Sequence, residues 1–147
     1  MKNTLANHTE SIVLQFLETA HSLERDMDRA LSYTRGISFS EYRLLRALTH
    51  VFSGNSARID LANAVGLTAS AVTRALKPME KLGYVTTEKS ERDARQSRAV
   101  ITSAGRELLD DAQGVLHDLF KELPLNARSQ QEANDFRERL SELRRAR

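Results

Sequence analysis

The chain has 147 residues and no cysteine, and its 22 Lys and Arg against 20 Asp and Glu leave a net charge of +2. The missing thiol excludes disulfides, thiolate zinc sites and cysteine redox sensing together. Hydrophobic residues at 40% and charged residues at 29% suit a globular chain with a core; no run approaches the ~18 apolar residues of a membrane helix, and the opening MKNTLANHTE lacks the apolar core of a secretory signal, so a cytoplasmic protein with no membrane partner is expected.

Residues 1–9 read as a loose polar lead, and a long amphipathic helix is expected from about Thr9 to Thr34. Ile12, Phe16, Ala20, Leu23, Met27, Leu31 and Thr34 recur every three or four residues and so line one face. Gly36 ends it. Ser38 and Glu41 then form an S-x-x-E capping box, with Ile37 and Tyr42 at staple spacing across it. Leu44, Leu45 and Leu48 supply the buried face of this second helix. Ser53–Ser56 is a turn by composition, and Ser56 is the expected cap of a short helix through Leu61, Ala62 and Val65 that Gly66 stops.

Thr68 caps the next helix, whose inward positions are Val72, Ala75, Leu76, Met79 and Leu82, and Gly83 closes it. Pro78 lies inside this pattern, where the missing N–H and the ring predict a kink, or a break that re-aims the last turn. Tyr84–Glu88 and Arg98–Thr102 have β-rich, partly alternating composition, and the polar stretch Lys89–Ser97 between them suits an extended wing. Thr102 or Ser103 caps a further long helix with Leu108, Leu109, Ala112, Val115, Leu116, Leu119, Phe120 and Leu123 on its apolar face, ended by Pro124. Asn126 or Ser129 starts the last helix. There Ser129 and Glu132 are spaced for a second capping box, and Ala133, Phe136, Leu140 and Leu143 follow at alternating spacing. No linker divides the chain, and one domain over 1–147 is expected.

The run from Leu61 to Thr102 therefore orders a short helix, a Gly turn, a second helix and a strand pair with a charged tip. That is a helix-turn-helix followed by a wing, a device for laying a helix in the DNA major groove. Charge supports it: residues 68–98 carry seven Lys/Arg against four Asp/Glu, net +3, while residues 1–67 are neutral and 99–147 are net −1. Opposite the apolar stripe of the Thr68 helix lie Ala69, Ser70, Thr73, Arg74, Lys77 and Lys81. Small residues allow close approach to bases, and hydroxyls bond bases or phosphates. Arg74 can fork onto a guanine edge, worth about 1–3 kcal/mol of base discrimination. Lys77 and Lys81 suit phosphates, which position without specifying. The N-terminus of the helix, at Thr68, offers N–H groups to a phosphate.

These residues resemble the MarR family of winged-helix regulators. Its wing pattern D-x-R-x-x-x-V-x-L-T-x-x-G corresponds in register to Asp93, Arg95, Ala99, Ile101, Thr102 and Gly105, with Ala99 for Val and Ile101 for Leu. The stretch V-T-R-x-L-x-x-x-E-K-x-G, here Val72 to Gly83, is similar to the family's reading helix. The resemblance implies a mainly α fold with a small β-wing: a winged helix-turn-helix over 38–102 flanked by dimerisation helices over 9–35 and 103–147. It further implies a homodimer facing a palindromic double-stranded DNA operator, with half-sites roughly 34–36 Å apart. It also implies that Arg95 reaches the minor groove while Asp93 holds its guanidinium; Arg92, nearer the turn, is the alternative tip.

By the same resemblance, a small aromatic or phenolic effector would occupy a crevice between the dimer helices and the winged lobe, lined from Phe16, Phe39, Tyr42, Arg43, Arg46 and His50. The four histidines match no metal motif, and no metal or cofactor is expected. No nucleophile elbow, phosphate-binding Gly loop or paired-carboxylate spacing supports an enzyme. The expected function is a dimeric repressor that a ligand releases from DNA. The competing expectation is a helical dimer whose winged unit contacts another protein without binding DNA.

Overall fold

A computed structural model describes residues 2–89, 97–123 and 129–145, with side chains from residue 7 onward. Among these residues six helices and three strands follow in the order α1 (Lys2–Arg35), α2 (Phe39–His50), β1 (Asn55–Ala57), α3 (Arg58–Val65), α4 (Ala69–Lys81), β2 (Val85–Lys89), β3 (Ser97–Ile101), α5 (Ser103–Lys121) and α6 (Gln130–Arg145). The first helix begins at Lys2, seven residues before the expected start at Thr9. The polar lead carries no Pro or Gly, and each added residue extends a helix that the apolar stretch has already nucleated.

The core lies where α2 crosses α1, α3, α4 and α5. Leu44, Leu45 and Leu48 of α2 are fully enclosed by Leu31, Leu61, Leu76, Leu109 and Leu116. The capping box forms as read: the Glu41 N–H donates to Ser38 Oγ at 3.1 Å, and the Ser38 N–H donates to Glu41 Oε2 at 2.7 Å. Ile37 and Tyr42, on either side of it, are both buried. Along α1 the stripe divides. Leu31 is enclosed and Met27 packs on the core, whereas Ile12 and Phe16 stand 64% and 43% exposed.

The three strands form one antiparallel sheet in the order β1-β3-β2. Val85 pairs with Ile101 and Lys89 with Ser97, so the two wing strands fall within a residue of their expected bounds. The third strand was not expected. Asn55, Ser56 and Ala57 pair with Val100, Ala99 and Arg98. Ser56 therefore does not cap α3; it is buried in β1, its hydroxyl donating to the Ala57 carbonyl at 3.0 Å. Ala57 takes the cap position with no side-chain bond.

Gly66 ends α3 with φ +69, a left-handed conformation that costs a residue without Cβ nothing and turns the chain into α4. Thr68 caps α4, accepting the Ala71 N–H at 3.1 Å. The helix does not break at Pro78. It runs on to Lys81, and the Leu82 N–H donates to the Pro78 carbonyl at 3.1 Å. Pro78 and Arg74 both face outward, so the donor that proline removes is missing on the exposed side of the helix. Met79 reaches the core, but Leu82, expected inward, is 63% exposed because it sits past the last helical residue.

Thr102 caps α5 and also ties it to the wing: it accepts the Gly105 N–H at 3.0 Å and donates to the Gly83 carbonyl at 2.7 Å. At the start of α6 the Glu132 N–H donates to Ser129 Oγ at 3.2 Å. No described residue of α6 is buried. Pro124 and Asn126 lie outside the described residues.

Candidate nucleic-acid interface

The outer face of α4 is built by its period. Val72, Leu76 and Met79 are enclosed at 0–1% exposure, and this leaves Ala69, Ser70, Thr73, Arg74, Lys77 and Lys81 in solvent on the other side. Small and hydroxyl side chains occupy the first turns, and cations follow. Thr68 is also exposed, but its oxygen is committed to the Ala71 N–H, so its first role is to start the helix. Arg74, Lys77 and Lys81 form no ion pair with any described residue, which leaves their charge available to a partner.

One cation near this face is not solvated. Arg58, the first residue of α3, sends its guanidinium across to α4 and the wing. Nη2 donates to Glu80 Oε1 at 2.9 Å and to Thr87 Oγ1 at 3.0 Å, and Nη1 reaches Thr73 Oγ1 at 3.4 Å. Thr87 closes the ring by donating to the same Glu80 oxygen. The Arg58 and Glu80 side chains are 21% and 29% exposed, drier than an ordinary surface pair. The sequence reading passed over Arg58. One signal was available: a cation at the first position of a helix opposes the helix dipole by about 0.3–1 kcal/mol, which a tertiary partner offsets.

At the base of the wing, Arg98 donates to Asn55 Oδ1 through Nε at 3.1 Å and Nη2 at 2.6 Å, joining β3 to β1. The wing-tip residues Arg92, Asp93 and Arg95 lie outside the described residues.

A crevice of about 700 Å³ opens between α1 and the α2–α4 lobe, lined by Glu24, Arg25, Asp28, Arg29, Phe39, Ser40, Arg43 and Leu67. Of the six residues expected to line an effector site, Phe39 and Arg43 are here. Tyr42 stacks behind Phe39, with ring centroids 5.9 Å apart, but is itself buried. Burial pushes the Tyr42 phenol above its ordinary value, with nearby Arg46 pulling weakly the other way. Phe16, Arg46 and His50 do not line the crevice; His50 instead meets Gln113 of α5 at 3.3 Å. The α1 acids and arginines that do line it were not expected. Among the described residues, no His/Asp/Glu group is arranged to hold a metal ion and no helix is long and apolar enough to cross a membrane.

The sequence pattern of the MarR family matches residues 35–96, the stretch from the end of α1 through α2 and β2 to the residue before β3. An uncharacterized HTH-type transcriptional regulator of Bacillus subtilis, YdgJ, is 30% identical over 96 residues; the match spans 65% of this chain and 57% of that protein's length. Among solved structures, Sco3205, a MarR family transcriptional regulator from Streptomyces coelicolor in complex with DNA, superposes with a TM-score of 0.83 at 23% identity, over 93% of this chain and 86% of that one. The organohalide-sensing regulator RdhR in its 2,4-dichlorophenol-bound form superposes with a TM-score of 0.79 at 19% identity, over 94% and 80%. With the winged helix, the Thr68 cap of α4 and the β2–β3 register all in place, residues 35–96 carry the MarR family pattern within a winged-helix fold like that of MarR-type regulators.

Proposed function

We propose that this protein is a homodimeric, sequence-specific double-stranded DNA-binding repressor that a small aromatic or phenolic ligand releases from its operator. The observation that carries the reading is the outer face of α4, where Ser70, Thr73, Arg74 and Lys77 stand in solvent, directly opposite the enclosed Val72, Leu76 and Met79. In this reading α4 enters the major groove. Arg74 forks onto a guanine edge, and Ser70 and Thr73 bond base edges or phosphates at close range beside Ala69. Lys77 and the capped N-terminus at Thr68 hold the backbone. Arg95, or Arg92, reaches the adjacent minor groove from the wing, with Asp93 fixing the guanidinium. The DNA-bound form of Sco3205 supports the docking mode.

The winged unit over 38–102 acts as the reading lobe, and 9–35 with 103–147 join two copies. The exposed apolar side chains on α1 and α6, among them Ile12, Leu17, Phe136 and Leu143, support this. A two-fold dimer sets the two α4 helices on a palindrome, with half-site centres roughly 34–36 Å apart. The crevice between α1 and the reading lobe is the ligand site. Phe39 offers an aromatic face, and Arg43 and its neighbouring arginines offer charge to a phenolate or carboxylate, and the phenol-bound regulator supports that chemistry.

Selection from a random duplex pool tests these points together: the enriched sequences must be palindromic with one-turn spacing. Arg74→Ala should then lose about 1–3 kcal/mol on the selected site and far less on random DNA. Equal losses on both would reduce Arg74 to a phosphate contact, and no enrichment at all would defeat the proposal.

A further inference from the structure

We infer that Arg58 is a positioning residue for DNA reading, which sets the angle between the reading helix and the wing. This rests on the DNA-binding proposal above and adds to it a residue that touches no base. Three elements meet at its guanidinium: α3 supplies Arg58, α4 supplies Glu80 and Thr73, and β2 supplies Thr87. Arg58 and Glu80 are 22 residues apart, and Arg58 and Thr87 are 29 apart, so the ring is a tertiary clamp and not local helix chemistry. A lysine would reach one oxygen as a point charge. The planar fork of arginine spans two oxygens on different elements and fixes their separation.

The apolar core beneath α4 cannot do this alone. Val72, Leu76 and Met79 hold the helix down, but greasy contacts tolerate a few degrees of roll about its axis. The Arg58 ring lies at the edge of the outer face and acts against that roll, because it grips α4 at Thr73 and at Glu80, about two turns further on. It also orders Thr73. With Arg58 donating to Thr73 Oγ1, the hydroxyl proton is left free to turn outward, and Thr73 meets DNA as a donor beside Ser70 and Arg74. The negative charge of Glu80, which would repel phosphate, is neutralised by the same contact.

The test compares the wild-type chain and four variants, Arg58→Ala, Arg58→Lys, Glu80→Gln and the Arg58→Ala/Glu80→Gln double variant, on a duplex selected by the wild type and on a random duplex across a salt series. Binding is read well below each variant's unfolding temperature. Arg58→Ala and Glu80→Gln should each lower the selected-to-random affinity ratio by about five- to tenfold, and the double variant should lose no more than either alone, as for two residues of one contact. Arg58→Lys should recover part of the ratio. The salt slope should stay at the wild-type value. Glu80→Gln decides the matter even if Arg58→Ala folds poorly, since it removes an anion and would tighten binding to any duplex if charge were the whole effect. An unchanged ratio in Glu80→Gln overturns the inference. So does a salt slope that falls by about one unit in Arg58→Ala, which would make Arg58 a phosphate contact. Failure of the wild type to bind either duplex overturns this inference and the DNA-binding proposal together, whereas wild-type binding with unaltered variants overturns only this one.

Discussion

The guanidinium of Arg43 donates to the carbonyl of Val65, the last residue of α3. That carbonyl is one of the four a helix leaves without an internal partner, and a cation there also complements the helix dipole. The same Arg43 lines the crevice and lies 6.0 Å from the Phe39 ring centre. One side chain thus spans from the crevice wall to the turn that launches α4. Asp28 makes a parallel link from α1, accepting the Phe39 N–H at 2.8 Å at the start of α2.

Replacing Arg43 with Met keeps the stem and removes the charge-assisted bond, which contributes about 1.5–3 kcal/mol when made to a charged group. The expected loss is local. Amide exchange at Leu67 and Ala71, on either side of the Thr68 cap, should quicken by about tenfold or more, while amides in the middle of α5 keep their protection. Unchanged exchange at the α3–α4 turn would show that Gly66 and Thr68 hold it without Arg43.

Gly105 is set by contact. A Cβ there would lie 2.1 Å from the Tyr84 carbonyl oxygen and 2.9 Å from Ile101 Cγ1, and the first of these is backbone that cannot rotate away. Gly105→Ala must push α5 off the base of the wing and break the Thr102 bonds to Gly83 and Gly105. The expected cost is about 3 kcal/mol, a fall in Tm on the order of 10 °C. Gly114→Ala in the same helix is the control: nothing lies within 4 Å of a Cβ there, so it should raise stability by about 0.5–1 kcal/mol. Equal Tm for the two variants would refute the packing argument.

How far the sequence reveals this fold depends on the range of each interaction. The Ser38–Glu41 box, the Thr68 and Thr102 caps and the ends at Gly36, Gly66 and Gly83 are written within four residues, and all were legible. So was the two-faced character of α4, since Val72, Leu76 and Met79 keep one period. β1 was not legible. Asn55–Ala57 is three residues with no β-rich composition, and Val100, Ala99 and Arg98, more than 40 positions away, make it a strand. Ser56 looked like a cap because Ser before a helix usually is one; the strand claimed its backbone first. The Arg58 ring joins positions 58, 73, 80 and 87 through side chains alone, and no spacing rule anticipates it. Two of the six residues expected at the crevice line it: Phe39 and Arg43 sit on one helix face, but Glu24, Arg25, Asp28 and Arg29 enter from α1 through a crossing that periodicity does not fix.

Tyr42 makes a prediction at alkaline pH. Its ordinary value is 10.0, and burial raises it in the folded state. Above pH 10 the unfolded chain releases this proton while the folded chain keeps it. The folded state then binds more protons, and stability falls as pH rises through the unfolded value. Chemical unfolding at pH 8 and at pH 11 should show a loss for the wild type that Tyr42→Phe reduces. An identical loss in the variant would assign the alkaline sensitivity to other groups.

The last helix carries the sharpest test of dimerisation. Ala133, Phe136, Leu140 and Leu143 fall on one face of α6, and Phe136 and Leu143 are 48% and 56% exposed, with no described α6 residue buried. A helix that is apolar on one side and buries no residue fully leaves that side open to a partner surface, which the proposed dimer would supply. Burying two such side chains contributes about 1.5–3 kcal/mol each. Phe136→Glu with Leu143→Glu should therefore weaken self-association by roughly hundredfold or more, in sedimentation across a concentration series. Monomers should still show the α2–β3 unit intact by amide exchange, since α6 makes no part of that core. Their affinity for a palindromic duplex should fall toward that of a single half-site. A double variant that sediments like the wild type would remove α6 from the proposed dimer interface.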